Sequence, residues 1–71
     1  MTITQAEIIL AMARNNLNVA ATAREMFMHY NNIHYHVRMI HRNTGLNPKN
    51  FDDMNELIRK AKVVLEGEHD D

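Results

Sequence analysis

The apolar residues of this chain recur at helical spacing, and nowhere do they alternate with the period of two that a half-buried strand requires. In the first segment Ile8, Ile9, Met12 and Ala13 fall on one face. Thr4, with Glu7 three residues on, has the form of a capping box, which predicts a helix over about 5–15. Asn15, Asn16 and Asn18 interrupt it, because short amide side chains compete for backbone hydrogen bonds. Asn18 then caps a second helix at about 19–26, where Ala20, Ala21 and Ala23 favour helix and permit a close crossing. After a break at Phe27-Met28-His29 comes a third helix, about 30–43, with Ile33, Val37, Ile40 and Thr44 on one side and Gly45 as its left-handed terminator. Asn47-Pro48 cannot continue it. Asn50 or Asp52 caps a fourth helix, about 52–66, whose stripe is Phe51, Met54, Leu57, Ile58, Ala61, Val64 and Leu65. The expected fold is all-α: a small four-helix domain over 1–67 with an acidic, disordered tail at 68–71. Its second and third helices, joined by a short turn, form a central helix-turn-helix.

Composition narrows the function classes. At 71 residues there is room for one domain, burying only about 60% of the surface its unfolded chain would expose. With no Cys, neither a disulfide nor a thiolate zinc site can staple it. The apolar run at 8–13 is far shorter than a membrane span and lacks the layout of a signal peptide. We therefore expect a soluble, cytoplasmic protein that starts at its own Met1 and has no membrane partner. Ser is also absent, there is no Gly-rich phosphate loop, and the acids gather towards the end of the chain. No enzyme, small-molecule substrate or cofactor is expected. His29, His34, His36 and His41 are not spaced three or four apart, so they do not converge as ligands on one helix, and no metal site is expected. The six Met residues read as flexible packing, with Met12, Met26, Met28 and Met54 at core positions.

The net charge of −1 argues at first against a polyanionic partner, but the charges are unevenly placed. From Met26 to Asn50 there is no acidic residue, while Arg38, Arg42, Lys49 and four of the five His residues lie there. From Phe51 onward seven acids face three bases. On the third helix the side opposite the apolar stripe carries Asn31, Tyr35, Arg38 and Arg42, with His34 at its edge and Asn32 on the other shoulder. Asn can pair bidentately with adenine and Arg with guanine, and Tyr can donate to phosphate, so this face suits a major groove. Any surface helix shows polar residues opposite its apolar stripe; the absence of carboxylates is what favours an anionic partner. The histidines add a second expectation: near pH 6 a fraction becomes cationic, giving tighter DNA binding at about pH 6 than at about pH 8. The competing reading is that they cap, pack or face solvent.

Asn18, Val19, Thr22-Ala23-Arg24, Met26-Phe27-Met28, His29, Asn31, Ile33, Tyr35, Val37, Arg38, Ile40 and Thr44-Gly45 resemble the C-terminal helix-turn-helix domain of the PucR family of bacterial transcription regulators, which includes the sugar-diacid regulators. The resemblance extends more weakly over the first and fourth helices. It implies promoter DNA as partner, with the helix that begins near His29 as the reader. Two family arginines are replaced here, by Tyr30 and His36, which weakens the expected phosphate contacts.

These readings assign base contacts to Asn31, His34, Tyr35 and Arg38, flanked by Tyr30 and Asn32, and phosphate contacts to Thr22, Arg42 and Lys49. Asn18 is expected only to cap. With three cations in the patch, a homodimer on two half-sites of double-stranded DNA is the more workable arrangement. The alternative is a protein-protein interaction module that keeps the fold and has lost most DNA affinity.

Overall fold

The computed structural model describes residues 1–68, and its elements are four helices: α1 (Ile3–Arg14), α2 (Val19–Met26), α3 (Tyr30–Thr44) and α4 (Phe51–Glu68). The first helix is the hub, packing on each of the other three, and α2 also packs on α3. The shared core is built from Ile8, Ile9 and Met12 of α1, Ala23 of α2, Ile33, Val37 and Ile40 of α3, and Met54, Leu57 and Ala61 of α4. Met26 and Met28 are half-buried against it. Each helix thus contributes one apolar stripe, and each stripe is needed to cover the others.

The first helix starts earlier than Thr4 and Glu7 suggested. Its capping box uses Thr2 and Gln5: the Gln5 amide donates to the Thr2 hydroxyl at 3.1 Å, and the Thr2 amide donates to Gln5 Oε1 at 3.1 Å. Two overlapping sequences have the same form, and the earlier one prevails because it caps the chain start and adds helical residues. The turn after α1 is tight. Asn16 and Leu17 both have positive φ, 54° and 64°, and the Leu17 amide reaches back to the Met12 carbonyl at 2.8 Å, tucking the Leu17 side chain against the core. A clamp across this turn joins Arg14 and Asn15 to Glu25, the Asn15 amide group donating to Glu25 Oε1 at 3.0 Å. Hydrogen bonds from Arg14 and then Asn15 hold the Glu25 carboxyl below its usual range.

Asn18 Oδ1 accepts the Ala21 amide at 2.9 Å and so starts α2. Of the three alanines in this helix only Ala23 is buried; Ala20 faces solvent, so the close approach to neighbouring helices rests on one small residue. Asn50 provides the cap of α4, accepting the Asp53 amide at 3.0 Å. Phe51 does not join the stripe assigned to it: at 70% exposure it points away from the core. Helical side chains lean towards the N-terminus, so the first residue of α4 projects off the helix end and past its neighbour. The last helix extends through Glu68, taking the first residue of the tail expected at 68–71; the rest of that tail lies outside the described residues. Among the described residues no helix is long and apolar enough to cross a membrane.

Candidate nucleic-acid interface

The short helix α2 ends in a turn of three residues, Phe27 to His29, before α3 begins at Tyr30. The Met28 amide donates to the Ala23 carbonyl at 3.0 Å and the Phe27 amide to the Arg24 carbonyl at 3.3 Å. This is the paired hydrogen bonding of a Schellman turn, and it requires a left-handed residue. Glycine usually fills that position. Here it is Phe27, with φ 54° and ψ 40°. Its side chain is 97% exposed.

His29 starts α3. Its Nδ1 accepts the Asn31 amide at 3.0 Å, the role an Asn, Asp or Ser side chain commonly fills. Accepting at Nδ1 requires that nitrogen to be unprotonated, which leaves the proton of the neutral ring on Nε2. Two further histidines are engaged as well. The His34 ring meets Tyr30 edge to face, with centroids 4.6 Å apart and planes at 85°. His36 is half-buried and lies at 3.5 Å from the Gln5 side-chain nitrogen, across the α1–α3 contact.

The buried face of α3 is the expected one: Ile33, Val37 and Ile40 are within the core and Thr44 is half-buried. The opposite side presents Asn31, Tyr35, Arg38 and Arg42 to solvent, with Asn32 also exposed, His34 half-buried and Tyr30 51% exposed. The loop after α3 is held by short-range bonds. Thr44 Oγ1 donates to the Ile40 carbonyl at 2.6 Å and accepts the Leu46 amide at 3.1 Å. The Asn47 amide donates to Asp53 at 2.9 Å, and Asn47 Oδ1 accepts the Lys49 amide at 3.0 Å. These bonds fix the backbone that carries the exposed Lys49 just beyond the end of α3. Among the described residues Arg38, Arg42 and Lys49 form no ion pair; the pairs present are Arg14–Glu25 and Arg59–Glu56. Their charge is therefore not neutralised by an ion pair among the described residues.

Thr22 is the one residue of the expected interface that lies elsewhere. It is fully buried, and its hydroxyl donates to the Asn18 carbonyl at 2.8 Å. A hydroxyl committed to the preceding turn inside the core has no path to a phosphate, so Thr22 leaves the interface and takes a packing role. Conversely, sequence reasoning placed Phe27 and His29 in the break and in the family resemblance, and allowed that the histidines cap, but did not single out His29 as the cap of α3 or Phe27 as the left-handed residue. Histidine is not a common cap, and phenylalanine is an uncommon left-handed residue, so residue type gave little signal at either position.

Two shallow cavities lie away from α3, one lined by Arg59, Lys60 and Val63 and the other by Glu7, Leu10, Arg14, Met26 and Leu65.

The family model of the PucR C-terminal helix-turn-helix domain matches residues 5–58, more than half of the chain. No curated protein and no solved structure matches the chain significantly.

Proposed function

The chain belongs to the family of PucR C-terminal helix-turn-helix domains, and from that membership we propose that it binds double-stranded DNA sequence-specifically as a transcription regulator, with α3 in the major groove. The observation that carries this is the exposed side of α3: amide, phenol and guanidinium groups in one row, no carboxylate among them, and cations without ion-pair partners among the described residues. Asn31, His34, Tyr35 and Arg38, with Tyr30 and Asn32 beside them, meet base edges. Arg42 and Lys49, further along, meet phosphates. The domain acts by binding rather than by chemistry. It carries few cations for this task, so two copies on paired half-sites supply the affinity that one lacks. The solution mass with and without duplex DNA checks this point, and a monomer under both conditions refutes it.

The test of the main reading is the double variant Arg38→Ala with Arg42→Ala. Removing both guanidinium groups should abolish retention of duplex DNA in a gel-shift assay while leaving the helical circular-dichroism signal intact, since both side chains are exposed. Undiminished retention by the double variant overturns the assignment of α3 as reader. If neither protein retains DNA at low salt, the protein-interaction reading takes its place.

A further inference from the structure

Phe27 combines two features that cost free energy in the isolated chain. Its backbone is left-handed, which is unfavourable for any residue with a Cβ atom, and its large apolar ring is 97% exposed. Among the described residues the ring makes no aromatic contact, whereas the Tyr30 and His34 rings pack on each other. Glycine would suit the backbone better, and almost any polar residue would suit the solvent better. The ring is held out, three residues before the start of α3, by a turn whose hydrogen bonds fix its backbone. It is therefore placed at the leading end of the helix that carries Asn31 and Arg38, within the stretch from Met26 to Asn50 that contains no carboxylate.

We propose that Phe27 is a specificity-determining contact that reads the C5-methyl group of thymine at the edge of the sequence α3 recognises. This inference rests on the DNA-binding reading given above. The stretch from Met26 to Asn50 that Phe27 helps to open carries no carboxylate, and the acid just before it, Glu25, is paired with Arg14, so this end of α3 suits a polyanion; the apolar feature that a duplex offers in its major groove is the thymine methyl. Apolar side chains discriminate thymine in this way because the methyl leaves water on contact, and phenylalanine has the size for it. The exposed Tyr30 ring, 51% accessible and braced by His34, extends the same apolar border towards the polar row. Position 27 therefore adds a preference for T·A to the adenine and guanine contacts of Asn31 and Arg38.

The experiment compares thymine with uracil, which lacks only the methyl group. A duplex is first selected from a random-sequence pool by binding to the wild-type chain, then synthesised with thymine and with uracil. Wild type should bind the uracil duplex about fourfold more weakly for each methyl contacted, the factor expected for desolvating one such group. Phe27→Gly relieves the backbone, so it should keep a melting temperature at or above that of wild type and bind both duplexes equally. Phe27→Leu, which keeps an apolar side chain, should retain part of the discrimination. Equal binding of the two duplexes by wild type overturns the proposal while leaving DNA binding standing, as does discrimination that survives in Phe27→Gly. Failure of wild type to select any duplex from the pool overturns both.

Discussion

Replacing Phe27 by glycine should stabilise the domain, even though it deletes a large aromatic side chain at the turn. With φ at 54°, the residue adopts a conformation that costs an L-amino acid about 1–2 kcal/mol. Glycine escapes that cost but gives up about 0.5–1 kcal/mol through its freer unfolded chain. Almost no burial is lost, because the side chain is 97% exposed. The balance is a gain of about 0.5 kcal/mol, equivalent to a rise of about 2–4 °C in melting temperature for a domain of this size. Phe27→Ala keeps the Cβ atom and with it the strain, so its stability should stay within about 0.5 kcal/mol of wild type. Thermal denaturation followed by circular dichroism separates the two variants. A loss of 1 kcal/mol or more in Phe27→Gly would refute the reasoning, because it would mean that the ring packs against the chain.

Two other perturbations test how the interface is positioned. His29→Ala removes the acceptor that starts α3 and should cost about 1 kcal/mol, whereas His29→Asn restores an acceptor and should recover most of it; equal melting temperatures for the two variants would remove the capping role. Glu25→Gln weakens the clamp between α1 and α2. Because the Glu25 carboxyl is held below its usual range, the clamp contributes fully above that range and is lost as pH falls through the lowered value. The stability gap between wild type and Glu25→Gln should therefore be largest near neutrality and close on acidification, and a gap that widens in acid would contradict it.

How much of this could be read from the sequence differs from element to element. The start of α2 follows from residue type, since Asn18 caps it, whereas its end is set by the left-handed Phe27, a residue type that gives no such signal. The buried and exposed sides of α3 follow from 100° periodicity, because Ile33, Val37 and Ile40 leave only one way to orient the helix. Thr4 misled because the capping-box pattern occurs twice within six residues, and local pattern cannot rank the two. Phe51 misled because a periodic stripe does not reveal where the neighbouring helix ends. At the interface, Thr22 was assigned outward because a hydroxyl in a first helical turn can serve a phosphate or its own backbone, and packing decides which. The histidines divide in a way that charge counting cannot show: His29 caps, His34 meets Tyr30 edge to face, and His36 faces Gln5.

The most direct test of the DNA-binding account is a fluorescence-anisotropy titration of the wild-type chain against duplex DNA over a range of salt concentrations. Arg38, Arg42 and Lys49 are the exposed cations on and beside α3. Neutralising one phosphate each, they predict a log-log slope of about −2.7 per bound copy. Binding that weakens linearly with that order of slope supports the account. Binding that is absent at low salt, or indifferent to salt, contradicts it.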